Sequence, residues 1–91
     1  MRLDRTVRVL GDPTRRGILK ALRSRDLRAG EIADMFPITA ASISHHLNVL
    51  RDAGLVTSVR SGRHIVYSLN STVFQETVQE LLDFLRIGEE P

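Results

Sequence analysis

The hydrophobic period of this chain changes from helical to strand-like at Gly54, and that change restricts the folds open to it. Upstream, from about Thr39 to Ala53, apolar residues recur at helical spacing, with Ile43, Leu47 and Leu50 forming one stripe. Downstream, Leu55, Thr57 and Val59 alternate with Val56, Ser58 and Arg60, the period of a strand. Ser61-Gly62 is a turn signal, and His64-Ile65-Val66-Tyr67-Ser68-Leu69 is rich in β-branched residues, so 55–69 reads as a hairpin. Thr39 is placed to cap the helix, and Gly54 stands where a left-handed residue after its end is wanted.

The rest of the chain reads as helices. Leu3, Val7 and Leu10 fall at i, i+4 and i+7 on a short amphipathic helix ended by Gly11. Asp12 is a good N-cap and Pro13 fits the first helical position of a helix running to about Arg23, with Ile18, Leu19 and Leu22 inward. Ser24 to Arg28 reads as a polar loop. Ala29 to Phe36 reads as a short helix with Ile32, Ala33 and Phe36 inward, stopped by Pro37. A tight turn of about three residues then makes a helix-turn-helix with the Thr39 helix, and the hairpin after it is a wing. From Asn70-Ser71 a last helix runs to about Ile87. Phe74, Val78, Leu81 and Leu85 form its stripe, widened by Val73, Leu82 and Phe84, more apolar surface than a helix beside a small domain needs. The expected fold is mostly α with a small β-hairpin, a winged helix-turn-helix in the order ααααββα, as one domain over 1–91.

Charge is distributed unevenly. The net charge is +2, yet residues 1–69 hold twelve of thirteen basic residues against six acidic ones, and residues 70–91 hold five acidic residues and Arg86. All basic residues but Lys20 are arginine, the better bidentate partner for phosphate. A solvated surface accounts for such a balance as readily as a polyanion-facing body with an acidic end held away from it. The absence of cysteine excludes disulfides and thiolate metal sites, and a chain of 91 residues without staples has a reason to oligomerise. The N-terminus resembles no signal peptide and no stretch approaches a membrane span, so a cytoplasmic location is expected.

A reading helix sets short polar side chains toward the major groove and keeps its other side apolar. Ser42, His45 and Arg51 lie away from the Ile43/Leu47/Leu50 stripe, Ser44 and His45 can meet base edges, and the Thr39 end can meet a phosphate. His46 points roughly 100° away from His45. Adjacent histidines are by themselves commonly surface or partly packed residues; the cap, the apolar stripe and the following basic hairpin give them weight. On the wing, Arg60, Arg63 and His64 can contact the backbone or the minor groove, and a charged hairpin also deters strand aggregation. An enzyme is not expected: no Gly-rich phosphate loop or cysteine nucleophile exists, and Asp52 lies nearly two turns from His45 and His46.

Leu10-Gly11-Asp12-Pro13-Thr14-Arg15-Arg16, the run from Ser42 to Val56, and Ser61-Gly62-Arg63 with Tyr67-Ser68-Leu69 together resemble the signature segments of the ArsR-type bacterial repressors. The short first helix and the Tyr67-Ser68-Leu69-Asn70 exit are most similar to the sporulation-delay autorepressor branch. The resemblance implies a homodimer formed by the first and last helices through Leu3, Val7, Leu10, Phe74, Val78, Leu81 and Leu85. It divides the domain into a recognition helix at 39–53, a wing at 55–69 and a dimerisation helix at 71–87. It also implies an inverted-repeat operator in double-stranded DNA, repression that extends to its own gene, and release by an anti-repressor protein or a small apolar effector. Thr39, Ser42, Ser44, His45, Arg51, Arg60, Arg63 and His64 are the expected DNA contacts.

Two departures from that family bear on the expectation. Ala40 and Ala41 stand where relatives often carry a longer polar residue or proline, which thins direct readout and leaves open a winged-helix module for protein–protein assembly. Where metal-sensing relatives have cysteines before the reading helix, Glu31-Ile32-Ala33-Asp34-Met35-Phe36 has none. The last helix has Glu76, Glu80 and Asp83 but no histidine, so neither metal nor cofactor is expected.

Overall fold

Helix ends in this chain are fixed by short-range chemistry that the computed structural model, which describes residues 2–86, makes explicit. Helix α1 spans Arg2–Leu10 and helix α2 spans Pro13–Leu22. The last carbonyls of α1, which have no partner within the helix, are taken by α2: Arg15 Nε donates to the Val9 carbonyl at 2.7 Å and Arg16 Nη1 to that of Leu10 at 2.9 Å. The inward face of α1 is Leu3, Thr6 and Val9, whereas Val7 is 58% exposed and Leu10 half-buried. The stripe expected from i, i+4, i+7 spacing is thus displaced. Apolar spacing left the facing direction open, and packing against α2 and the last helix selected the face holding the short Thr6.

Asp12 caps α2 as expected, its carboxylate accepting from the Arg15 backbone N–H at 3.0 Å. That hydrogen bond holds the Asp12 carboxyl below its ordinary value of 3.8, with the nearby charges of His46 and Arg15 acting in the same direction. A group whose pKa is depressed on folding stabilises above its unfolded value and loses that contribution as pH falls through the folded one. Asp12→Ala should therefore cost about 1 kcal/mol near pH 7, read as a lowered unfolding midpoint. The difference from the parent should shrink below pH 4; equal penalties at pH 7 and pH 3 would rule out the carboxylate as the stabilising group.

The segment after α2 departs from expectation. Within the loop expected over 24–28, Leu27–Arg28 is a short strand, β1, with Leu27 buried. Helix α3 then covers only Ala29–Ala33. Its N-terminus is held by half of a capping box: the Glu31 carboxylate accepts from the Arg28 backbone N–H at 2.9 Å, while an arginine has no acceptor to offer in return. Phe36 stays half-buried against the core although the helix has ended, and residues 34–39 form a longer connection than a three-residue turn.

Helix α4 spans Ala40–Asp52, with Thr39 Oγ1 accepting from the Ser42 backbone N–H at 3.1 Å. Ile43, Leu47 and Leu50 are buried, as their spacing predicts. At its end Gly54 takes φ +78°, a conformation that costs a residue with a Cβ roughly 1–2 kcal/mol. Gly54 N–H then reaches the Arg51 carbonyl at 2.9 Å and Leu55 N–H that of Leu50 at 3.1 Å, which closes the helix in a Schellman motif with Leu55 buried behind it.

Strands β2 (Val56–Ser61) and β3 (His64–Leu69) form the hairpin, in a register from Val56 opposite Leu69 to Ser61 opposite His64. The two-residue loop is Gly62-Arg63, with φ +61° at glycine alone, the pattern of a type II′ turn. On its other edge β3 pairs with β1, Leu27 opposite Tyr67, giving an antiparallel sheet ordered β1-β3-β2. The element order is therefore ααβααββα, with one short strand more than the sequence announces. Helix α5 spans Ser71–Leu85, capped by Asn70 Oδ1 accepting from Val73 N–H at 3.3 Å; Ile87, its expected end, lies outside the described residues. Among the described residues no helix is long and apolar enough to cross a membrane.

Candidate nucleic-acid interface

The buried stripe of α4 decides which of its residues face outward. With Ile43, Leu47 and Leu50 turned to the core, successive 100° steps put Ala41, His45, Asn48 and Asp52 on the outer line, Ser42 and His46 on one flank, Ser44 and Arg51 on the other. Ser42, Ser44 and His45 are all exposed. The Thr39 hydroxyl is doubly engaged, accepting from Ser42 N–H and donating to Ser42 Oγ at 3.0 Å. That arrangement leaves the Ser42 hydroxyl proton free to point at an external acceptor, so Thr39 serves by holding Ser42 and the helix terminus.

The flanks are tied to neighbouring elements. Arg15 Nη1 lies 3.3 Å from His46 Nδ1, and the same guanidinium reaches the Arg8 and Val9 carbonyls, so one side chain joins α1, α2 and α4. His46 is half-buried by this contact and its ring stands 5.8 Å from that of His45. On the opposite flank Arg51 donates to Asn48 Oδ1 at 3.0 Å and to Ser58 Oγ at 3.4 Å, which links the last turn of α4 to β2. Arg51 thus bridges helix and wing from an exposed position.

At the wing, Arg60 and Arg63 are exposed and form no ion pair among the described residues. His64 has a neighbour that the sequence did not announce: Arg28 of β1 approaches its Nε2 to 3.5 Å. Arg28 is held in turn by Glu31 at 3.3 Å, and Glu31 also pairs with Arg25 at 3.4 Å. The Glu31 carboxyl lies below its ordinary range, chiefly because it accepts from the Arg28 backbone N–H. The sheet therefore brings Arg28, 36 residues from His64 in sequence, alongside a wing carrying Arg60 and Arg63. Arg15, Arg28 and Asn48 join the surface that the sequence reading assembled; only the basic excess of residues 1–69 hinted at the first two.

The residues expected at a subunit interface divide. Val7, Val78, Leu81 and Leu85 are exposed, with Leu82 and Phe84 beside them on α5. Leu10 and Phe74 are half-buried against the core, and Leu3 is covered within its own protomer. Thr77, not one of the apolar residues, is the buried position of α5, its hydroxyl donating to the Val73 carbonyl at 2.8 Å. Among the described residues no three His, Cys, Asp or Glu side chains cluster as metal ligands would.

A family profile described as bacterial regulatory protein, arsR family, matches residues 12–58. Over 87 residues the chain is 42% identical to the transcriptional repressor SdpR of Bacillus subtilis, covering 96% of this chain and 97% of that one. It is 38% identical over 77 residues to the HTH-type transcriptional regulator NmtR of Mycobacterium tuberculosis, 85% of this chain and 64% of that regulator's length. Among solved structures, an ArsR-like transcriptional regulator from Rhodococcus sp. RHA1 superposes with a TM-score of 0.82 at 35% identity, over 97% of this chain and 80% of that one. A crystallised ArsR family transcriptional regulator reaches 0.88 over the whole of both chains, at 24% identity that speaks for the fold alone.

Proposed function

The chain belongs to the arsR family of bacterial regulatory proteins, DNA-binding transcriptional repressors with a winged helix-turn-helix fold, and from that premise we propose a homodimer that reads an inverted-repeat operator. The observation that carries this reading is α4: capped at Thr39, held down by Ile43, Leu47 and Leu50, it presents Ser42, Ser44 and His45 beside a wing with two unpaired arginines. Ser42, Ser44 and His45 meet base edges, while Arg60, Arg63 and the Arg28–His64 pair meet the phosphate backbone or the minor groove. Residues 39–53 act as recognition helix, 55–69 as wing and α5 as dimerisation helix. Val7, Val78, Leu81 and Leu85 supply the surface covered by the second subunit, with Leu10 and Phe74 behind them. Two reading helices then stand about 34–36 Å apart, in successive major grooves.

Repression in the cytoplasm, including of its own gene, is proposed on the strength of the likeness to a repressor of nearly equal length. Release by a signal other than a metal is supported by the missing cysteines and by an α5 whose ionisable residues are Glu76, Glu80 and Asp83, without histidine.

Fluorescence anisotropy with DNA from upstream of the chain's own gene tests the reading. A specific complex is expected at moderate salt, weakened roughly tenfold or more by His45→Ala, because a good base contact contributes about 1–3 kcal/mol of discrimination. Arg63→Ala should weaken operator and unrelated DNA alike. No specific complex, or one indifferent to both substitutions, would sink the proposal. A second reading, a winged helix turned to protein–protein assembly, draws on the exposed Ala40 and Ala41 at the head of α4. Salt separates the two. If Arg28, Arg60 and Arg63 of both subunits displace counterions, log affinity against log salt should fall with a slope of about −5. A flat dependence favours assembly.

A further inference from the structure

A cleft of about 390 Å³ lies where the end of α1, the outer face of α2, the exit of β3 and the first turn of α5 meet. Its wall is apolar, formed by Leu10, Leu19, Leu69 and Phe74, and its rim carries Arg16, Lys20 and Arg23. Arg16 and Lys20 on α2 and Arg23, its helical C-cap residue, stand at i, i+4 and i+7, so they share one face, where like charges disfavour one another. Arg16 is fixed by donating to the Leu10 carbonyl at 2.9 Å. No carboxylate among the described residues pairs with Lys20 or Arg23, both exposed. Leu10, Leu69 and Phe74 each keep part of their surface open to the cleft instead of closing over it.

An apolar wall beneath three cations on one side selects a ligand with the complementary division: an anionic head and a hydrocarbon body. We propose that this cleft binds an amphipathic organic anion, a free medium-chain carboxylate, with its head against Lys20 and Arg23 and its chain along Leu19, Leu69 and Phe74. The volume lies at the lower end of that of small-molecule sites, about 300–1,000 Å³, which suits a single short chain rather than a phospholipid. The site differs from the exposed Val78/Leu81/Leu85 face in its charge, since that face lies on a helix with acidic residues and carries no cation among its apolar positions. It borders both α1 and α5, so an occupant touches the two helices assigned to the subunit interface. For that consequence alone the cleft rests on the dimeric reading; for binding itself it does not.

The test uses the full chain without DNA, so its failure is distinguishable from a failure of operator binding. Decanoate, below its aggregation concentration, is titrated while heat and the backbone amide shifts of Leu19, Leu69 and Phe74 are followed. Saturable binding of one decanoate per protomer is expected, with acetate and decanol each at least tenfold weaker because each lacks half of the complementarity. Lys20→Gln with Arg23→Gln should weaken decanoate at least tenfold and leave the thermal midpoint within a few degrees, since both side chains are exposed. The proposal is overturned by the absence of saturable binding, as a second copy covering the cleft would cause. It is overturned as well by affinity indifferent to the double variant, by shifts centred on Leu81 and Leu85, or by capture on phosphatidylglycerol vesicles without decanoate binding.

Discussion

Replacing Leu81 and Leu85 together by glutamine should convert the proposed dimer to a monomer and lower operator affinity by about two to four orders of magnitude. Both leucines are largely exposed in the protomer, at 44% and 64%, so neither supports the core and the variant should remain folded. Glutamine is a good helix former and uncharged, so α5 keeps its helical propensity and the phosphate-facing charge is unchanged. What is lost is the apolar area covered by the partner. A linked pair of reading heads binds its second half-site at an effective concentration set by the dimer, whereas a monomer binds each half-site as a separate event. Sedimentation equilibrium reads the oligomeric state and anisotropy the affinity, with the far-ultraviolet circular dichroism as the check on folding. A variant that stays dimeric would move the interface away from the end of α5. A folded monomer of undiminished affinity would remove the dimer from the mechanism.

The parts of this fold that were legible beforehand are those decided within a few residues. Asp12 before Pro13, Thr39 before α4, Gly54 after it and the period change beyond are local chemistry, and each sits in the structure where the sequence placed it. Strand β1 was not legible, because two residues have no period; Leu27 and Arg28 are a strand only because Tyr67 and Val66 lie opposite them. The inward face of α1 was ambiguous for a related reason. Leu3 belongs to either stripe, and only the neighbours of α1 decide between Val7 and the Thr6/Val9 side. The candidate surface shows the same division. Ser42, Ser44 and His45 follow from the helix stripe, while Arg15 against His46 and Arg28 against His64 join residues 31 and 36 positions apart. Arg51 shows the division within one residue: its outward flank follows from the helix stripe, whereas its bond to Ser58 depends on where β2 lies.

Leu50→Ala should destabilise the domain by about 3 kcal/mol, within the 2–5 kcal/mol seen when a buried leucine is truncated. Leu50 is fully buried, at 0% exposure, in the cluster with Ile18, Leu19, Leu47 and Val56, so the lost methyl groups leave a cavity instead of admitting water. Its carbonyl also accepts the Leu55 N–H that closes the Schellman motif, so relaxation around the cavity is limited by a helix end already pinned on both sides. Domains of this kind are stable by only about 5–15 kcal/mol, and at this size each kcal/mol shifts the midpoint by roughly 4–8 °C, so a fall of roughly 12–24 °C is expected. Binding of a second subunit adds stability that depends on protein concentration, so the parent and the variant must be melted at equal concentration. The same substitution separates two roles of α4. At a temperature where the variant remains folded, operator affinity should fall far less than for His45→Ala, because Leu50 positions the helix without facing the groove. A variant that melts within a few degrees of the parent would mean that α4 is held by its caps and its ties to Arg15 and Ser58, with the apolar stripe secondary.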